Sequence, residues 1–280
     1  MNIGEKIKKA RKQKGMTQSA LAGNKITRNM LSAIENGSAA PSLDTLKHIA
    51  DGLGLPTEYF VSESDDLFFY QKKARIKTIR EAYAAKEYKA CIRHIMMLEE
   101  KDDELNFLLA TSNFELGKKY VMTGSLKSAT LHFDEAEEYC KRTVYDTQRI
   151  EGLLSLFKAI TKNIQAPLLE FDRDAYENSL VDTFEYELYR YTVLDYDHDY
   201  SIPYFRDHIE AKKLMKERDY NAALKLLVKI ENEKTPETYN AYVMFGVYSD
   251  IENCYKQLYD FENAYRYSTK RISLLEGFNT

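Results

Sequence analysis

The fold of this chain is decided by residues 16–37, MTQSALAGNKITRNMLSAIENG, which predict two short helices joined by a tight turn. The second helix should begin at Thr27, whose hydroxyl can accept a hydrogen bond from the first helical turn. Met30, Leu31 and Ile34 follow at the spacing of one buried helix face. The opposite face carries small or polar side chains: Arg28, Asn29, Ser32 and Ala33.

That opposite face suits the edges of base pairs. Arginine can make two hydrogen bonds to guanine and asparagine two to adenine, while serine can pair with several bases. We therefore predict that Thr27, Arg28, Asn29 and Ser32 contact double-stranded DNA, the alternative for each being a phosphate contact or none. Asn36 can donate to a phosphate at the end of this helix.

The stretch resembles the lambda-repressor-like (Xre) helix-turn-helix family. The likeness rests on M-T-Q with A-L-A behind it, on I-E-N-G closing the second helix, and on P-S-L-D-T-L-K-H-I-A-D-G-L-G-L-P after it. It covers residues 1–61 and implies a five-helix DNA-binding domain. The turn at residues 23–26 departs from the family pattern of a glycine followed by a small apolar residue. The resemblance also implies that Gln18 approaches DNA, the alternative being a contact with Thr17 or with the facing helix.

The flanking segments complete this domain. A first helix over residues 3–13 should direct Ile3, Ile7 and Ala10 inward. Thr17 should cap the helix that precedes the tight turn, and a short fifth helix over residues 57–61 should close the core. The first helix should direct its basic residues outward: Lys6, Lys8, Lys9, Arg11 and Lys12. The fourth helix, from Pro41 and Ser42 to Gly54, should bury Leu43, Leu46, Ile49, Ala50 and Leu53.

Composition indicates an all-α protein of about two domains. The 280 residues include only 11 glycines and 5 prolines, and helical periodicity runs through most of the chain. Residues 1–61 hold nine Lys or Arg against five Asp or Glu, leaving 31 against 39 for the rest. Because phosphate repels the acidic part, we expect DNA contact at the amino-terminal end alone.

Three dispersed cysteines, Cys91, Cys140 and Cys254, favour a reducing cytoplasm. The charged amino-terminal segment lacks the apolar core of a secretion signal, and no apolar run is long enough for a membrane span. We therefore expect a cytoplasmic protein.

The acidic segment 62–66 is the predicted linker, and residues 67–280 predict a repeat domain. A bulky residue followed three places later by Ala or Cys marks the start of a second helix at four points. Residues 110–143 resemble a tetratricopeptide (TPR) repeat through Leu116, Gly117, Tyr120, Gly124, Ala129, Phe133 and Ala136. The markers predict helical hairpins at about 70–100, 102–141, 202–233 and 236–276, with a degenerate fifth over 142–200. The four marker pairs are Tyr88/Cys91, Leu126/Ala129, Tyr220/Ala223 and Phe261/Ala264.

The TPR register places a basic set of residues on the concave side, which the first helix of each hairpin would line. Such a groove could hold a short peptide through its carboxylates, with asparagine amides pairing to its backbone. The alternative is that these are ordinary solvated positions. The predicted ligand-binding residues are Arg80, Lys118, His208, Lys212 and Asn253, with Lys73 and Lys256 in the same register.

The order of the two parts resembles the Rgg, PlcR, NprR and PrgX group of peptide-sensing, quorum-sensing regulators. The resemblance implies a homodimeric transcription regulator that reads an inverted-repeat operator and responds to a short peptide. Two alternatives remain open: a protein-interaction adaptor whose repeats dock a partner, and a dimeric repressor without a ligand.

Catalytic and metal motifs are weak. Asp195, Asp197 and Asp199 alternate as in a calcium loop, but Tyr200 and Arg206 replace its glycine and its bidentate glutamate. The histidines lack metal-ligand spacing, and there is no Gly-rich phosphate loop. We expect no enzyme activity, no cofactor and no metal.

Overall fold

The computed structural model describes residues 1–63, 66–162, 183–235 and 240–278, and within these ranges it is helical without a β-strand. The backbone divides into two compact units, Met1–Lys101 and Asp102–Thr280. The first contains α1 (Ile3–Gln13), α2 (Gln18–Ala22), α3 (Arg28–Glu35), α4 (Leu43–Leu53), α5 (Thr57–Val61), α6 (Leu67–Ala84) and α7 (Tyr88–Met96). The second contains α8 (Asp103–Thr123), α9 (Leu126–Cys140), α10 (Gln148–Lys162), α11 (Thr183–Thr192), α12 (Pro203–Lys216), α13 (Tyr220–Glu233), α14 (Ala241–Gln257) and α15 (Phe261–Phe278).

The all-α class and the five amino-terminal helices are as predicted. The first unit also includes α6 and α7, whereas the linker predicted at 62–66 falls inside it, so the domain boundary stays a prediction. Residues 163–182 of the degenerate hairpin predicted over 142–200 lie outside the described residues. Among the helices described, none combines the length and the apolar character needed to span a bilayer.

The first five helices share one hydrophobic core. Ile7 of α1, Leu31 and Ile34 of α3, and Tyr59 and Phe60 of α5 are at most 1% exposed. The backbones of α1 and α3 nearly touch, since a Cβ added at Gly4 would lie 2.0 Å from the Ile34 carbonyl oxygen. The orientation of α3 is therefore fixed by direct contact with α1.

Two apolar predictions in this unit are wrong. Met30 is 40% exposed because the buried face of α3 is centred on Leu31, Ile34 and Glu35, which leaves Met30 at its edge. Leu43 is 63% exposed because it occupies the first position of α4, where its side chain extends beyond the core.

The outward orientation of Lys6 and Arg11 is also wrong. Lys6 is fully buried, and its ammonium group donates to the carbonyl oxygens of Tyr59 at 3.0 Å and Ser62 at 2.7 Å. These oxygens lie at the end of α5, where helical carbonyls lack partners within the helix. Lys6 thus fastens α5 to α1, while Arg11 pairs with Glu35.

The predicted repeat is confirmed at all four markers, since α7, α9, α13 and α15 begin at Tyr88, Leu126, Tyr220 and Phe261. The small residue that follows each marker is at most 3% exposed. The second unit is therefore a helical repeat-like region, and α6 with α7 forms the same kind of hairpin.

One turn geometry closes these four hairpins. The residue two places before each second helix has a positive φ, and the next N–H donates to the carbonyl five residues earlier, as in a Schellman motif. The positive-φ residues are Lys86 (58°), Gly124 (87°), Arg218 (66°) and Tyr259 (62°). The hydrogen bonds run from Glu87 to Ala82 (2.9 Å), Ser125 to Tyr120 (2.8 Å), Asp219 to Leu214 (2.9 Å) and Asp260 to Tyr255 (2.9 Å).

Aromatic packing joins the first three helices of the second unit. Phe114, Phe133 and Phe157 form a cluster with ring centroids 5.9–6.2 Å apart. A Cβ at Gly117 would lie 2.3 Å from the fully buried Phe133 ring, so α8 can approach α9 only without a side chain there. This explains why the TPR-like spacing needs glycine at this position.

Candidate nucleic-acid interface

The polar face of α3, formed by Arg28, Asn29 and Ser32, is largely solvent exposed and begins at a capped turn. The Thr27 hydroxyl accepts a hydrogen bond from the Met30 N–H at 3.1 Å, as the sequence predicts. Arg28 and Asn29 are exposed in the first turn, and Ser32 is half-buried one turn later. The helix thus offers one guanidinium, one amide and one hydroxyl group along the same face.

The far end of α3 is equally defined. Asn36 is the C-cap with an exposed side chain, and Gly37 follows with a φ of 74°. The side-chain amide of Asn36 therefore faces solvent at the end of α3.

The opposite face of α3 is held by a buried ion pair that sequence reasoning missed. Arg11 donates to Glu35 from Nε at 2.6 Å and from Nη2 at 2.9 Å, and it also reaches the Met16 carbonyl at 2.8 Å. Burial alone would raise the pKa of Glu35, but the hydrogen bonds from Arg11 and Gln18 outweigh burial and lower it. Glu35 is therefore ionised at neutral pH and anchors α3 to α1.

Gln18 takes part in this anchor. Its Nε2 donates to Glu35 Oε2 at 2.9 Å, while the residue stays half-exposed. The first turn of α2 is thus tied to the last turn of α3, which matches the alternative of a contact with the facing helix. The amide oxygen and the second N–H of Gln18 are not used in this bond.

Lys118, one of the predicted ligand-binding cations, already has acidic partners. Its ammonium group is 2.7 Å from Glu185 and 3.2 Å from Glu115. Glu185 is fully buried and also accepts from Arg149 at 3.0 Å. The structure thus brings Lys118 of α8 to a carboxylate of α11 whose burial no sequence pattern indicated.

The ligand role of His208 stays a prediction, but the structure places its side chain in the interior of the second unit. His208 is fully buried, with Nδ1 2.8 Å from the Tyr191 hydroxyl and Nε2 2.9 Å from Asp250 Oδ2. Lys212 donates to the same Asp250 carboxylate. Burial lowers the pKa of His208, the hydrogen bond to Asp250 opposes this, and the net shift is downward. Both ring nitrogens are therefore engaged inside the protein.

The remaining predicted ligand residues do not join this cluster. Asn253 is exposed on α14 and Arg80 is exposed on α6 of the other unit. Within the second unit, the ion pairs of Lys118 and Lys212 are separate sites with different acidic partners.

The cysteines are packing residues rather than reactive ones. Cys91 is fully buried at the repeat marker, as predicted. Burial raises the pKa of Cys140 to about 11 and that of Cys254 to about 12, so both thiols stay protonated. In the described part of the chain no group of three His, Cys, Asp or Glu side chains is arranged to hold a metal ion.

A capped, polar-faced α3 fixed across α1 and joined to α2 by a tight turn defines the helix-turn-helix class of DNA-binding proteins. The family model described as helix-turn-helix matches residues 7–60. The immunity repressor protein of Bacillus phage phi105 is 32% identical over 111 residues, which cover 38% of this chain and 71% of that repressor. The chain belongs to the Xre-like helix-turn-helix family and is a DNA-binding transcription regulator.

Two solved structures of similar length were also matched. PlcR of Bacillus thuringiensis, in complex with the peptide PapR7 and DNA, is 21% identical; the match covers 99% of this chain and 96% of PlcR, with a TM-score of 0.23. The SHP pheromone receptor Rgg2 of Streptococcus dysgalactiae is 15% identical; the match covers 97% of this chain and 99% of Rgg2, with a TM-score of 0.21.

Proposed function

We propose that this regulator acts as a homodimer on an inverted-repeat operator, and that its repeat region controls DNA affinity by binding a short peptide. Arg28 and Asn29 read base edges, Ser32 and Thr27 make further DNA contacts, and Gln18 and Asn36 approach the phosphate backbone. The observation that carries the proposal is the exposed polar face of α3, opposite a face that the Arg11–Glu35 pair holds in place.

A dimer is needed because one short helix reads only a few base pairs. Two copies related by a twofold axis would place their reading helices in successive major grooves, roughly 34 Å apart. The repeat region is the better candidate for the dimer contact, since the small domain has little surface to spare. A change in this separation would change operator affinity, which is how a bound ligand would act.

The charged groups of the repeat region support peptide control. Lys118 and Lys212 lie partly buried on the first helices of two hairpins, each bound to a carboxylate from another helix. A peptide carboxylate could replace Glu185 at Lys118, because Glu185 would keep Arg149 as its partner. Asp250 would likewise keep His208 if Lys212 turned to a ligand. After such an exchange Glu185 would keep the charged Arg149 and Asp250 a hydrogen bond from His208, so neither carboxylate would be left without a partner.

The DNA part is tested by selecting preferred duplexes from a random pool with the full chain at two salt concentrations. Arg28→Ala and Asn29→Ala should each cost about 1–3 kcal/mol of binding free energy and relax preference at one position per half-site. Exposed residues elsewhere provide matched controls, Arg93→Ala and Asn221→Ala, which should bind like the original protein. If both α3 variants retain full affinity and selectivity, α3 does not read bases.

The peptide part is tested by mass spectrometry of the protein purified from its native host. A co-purifying peptide that is lost in Lys118→Met and Lys212→Met, but retained in the exposed control Lys127→Met, supports sensing. Retention by all three variants would place the ligand elsewhere.

The two alternatives give different results. If light scattering gave a monomer mass for a protein that still binds its operator, the proposed homodimer would be excluded. Unchanged regulation in the host after Arg28→Ala and Asn29→Ala would favour the adaptor. A purified dimer without a peptide, whose affinity is unaffected by host extract, would favour the ligand-free repressor.

A further inference from the structure

A pocket of about 300 Å³ lies between two hairpins of the second unit. It is formed where α12 and α14 begin and α13 ends. Its walls are mainly apolar and include Ile202, Tyr204, Ile230, Val243 and Met244. This volume is at the lower end of the range for small-molecule sites.

Asn240 also lines the pocket, and its amide nitrogen Nδ2 has no hydrogen-bond partner among the described residues. The residue is 3% exposed, and its Oδ1 accepts from the Val243 N–H at 3.3 Å as the N-cap of α14. The cap fixes which end of the amide is oxygen, so the other end must be the donor. That Nδ2 is shielded from water and makes no hydrogen bond to the rest of the described chain.

The Tyr204 hydroxyl lies near the Asn240 amide. Burial raises the pKa of Tyr204 to about 12, and the Asn240 amide is near enough to oppose that shift, but the pair lacks hydrogen-bond geometry. An unsatisfied buried donor costs about 1–3 kcal/mol, which an acceptor from a ligand would recover.

The charged groups at the pocket already have partners. Asp207 accepts from Lys229 at 2.8 Å, and Lys234 donates to the Tyr248 hydroxyl at 2.9 Å. Glu233 at the rim lies 4.0 Å from the same Lys229. A negatively charged ligand would meet Asp207 and Glu233, with Lys234 as the one lining cation among the described residues. The balance of charge therefore favours a neutral ligand.

We propose that this pocket binds a small neutral molecule with an aliphatic body and one carbonyl oxygen, which accepts a hydrogen bond from Asn240 Nδ2. The aliphatic part would pack against Ile202, Ile230 and Met244. None of the residues predicted for the peptide groove is among the described residues that line this pocket. The site is therefore separate from that groove, and its occupancy can be tested whether or not the protein senses a peptide.

The experiment uses the full chain and three probes of equal length: N,N-dimethylhexanamide, hexanoate and hexylamine. Binding is followed by saturation-transfer NMR, with affinities from titration. The amide offers a carbonyl acceptor without a donor or a charge, so it should bind, while hexanoate and hexylamine should bind at least about tenfold more weakly.

Asn240→Asp is the decisive variant, because aspartate keeps the N-cap oxygen and the volume but replaces the donor. It should weaken binding of the dimethylamide by at least about tenfold. Asn232→Asp makes the same change at an exposed position of α13 and should bind like the original protein. Ile202→Trp should block the pocket without altering Asn240, which keeps the test valid if Asn240→Asp fails to fold.

Each outcome is informative. Loss of binding in Asn240→Asp and Ile202→Trp, but not in Asn232→Asp, supports the site. Failure of the dimethylamide to bind the original protein would overturn the proposal, as would equal binding of hexanoate or full binding by the folded Asn240→Asp or Ile202→Trp variant.

Discussion

Removal of Arg11 should destabilise the packing of α3 on α1 more than any substitution on the exposed face of α3. In Arg11→Met the Glu35 carboxylate, fully buried as a side chain, would lose two hydrogen bonds and its counter-charge. Breaking a buried pair by removing one partner costs about 3–5 kcal/mol, and we take the lower end because Gln18 remains bonded to Glu35. A loss of about 3 kcal/mol would speed hydrogen exchange of the protected α1 and α3 amides roughly 100-fold.

The pH dependence of that loss has a definite sign. In the original protein the pKa of Glu35 lies below its ordinary 4.5, so its stabilising contribution is present above pH 4.5 and is lost as pH falls through the folded-state pKa. In Arg11→Met the effect of burial should dominate, and the pKa of Glu35 should rise above 4.5. The difference in unfolding free energy between the two proteins should therefore shrink as the pH is lowered.

Hydrogen exchange followed by mass spectrometry measures this on peptides from the first unit. Lys77→Met is the control, because its pair with Glu81 is 3.9 Å long and exposed on both sides, and exchange should not change. The double variant Arg11→Met with Glu35→Leu should recover much of the loss, since no buried charge remains alone. Unchanged exchange in Arg11→Met, or a double variant as unstable as the sum of the single ones, would refute the reasoning.

Two further predictions concern the second unit. Gly117→Ala should lower its unfolding free energy by roughly 1–3 kcal/mol because the new methyl group collides with Phe133, whereas the exposed Lys127→Ala should leave its melting curve by circular dichroism unchanged. The lowered pKa of His208 means that this unit should lose stability as pH falls below about 6.5, because the unfolded chain then binds a proton that the folded one does not. His208→Gln should flatten that part of the stability curve measured by urea titration, and His94→Gln in the other unit should not; an unchanged slope in His208→Gln would contradict the assignment.

Local signals make much of the fold predictable. The caps at Thr17, Thr27 and Ser42 place their own helix starts through side chains that bond to the backbone three residues away. The repeat markers are local signals as well. The small residue three places after the start of each second helix is buried, which allows a neighbouring helix to pack closely there. Such short-range rules also bring Arg28 and Asn29 to one exposed face.

The errors arise where partners are distant in sequence. Lys6 looks solvated in the sequence because its acceptors lie more than fifty residues later, at the end of α5. Arg11 meets Glu35 across 24 positions, and His208 meets Asp250 across 42. A charged residue beside apolar ones on a helix can be either solvated or buried in an ion pair. The sequence alone does not distinguish these cases, because it does not show which distant residue is the partner. The error at Met30 has a local cause. Because α3 buries Glu35 together with Leu31 and Ile34, its buried face is rotated away from Met30.

The turn that closes the four hairpins is defined by backbone torsion and not by one type of side chain, since lysine, glycine, arginine and tyrosine all occupy its left-handed position. Glycine adopts this conformation without steric strain, whereas each of the three other residues is destabilised there by about 1–2 kcal/mol. The sequences of these turns can therefore diverge while their conformation is kept. A sequence search for a repeated glycine would find only one of the four hairpins. The shared turn geometry also makes each hairpin an interchangeable unit. A hairpin could be duplicated, deleted or exchanged between related proteins while the connecting turn keeps its conformation.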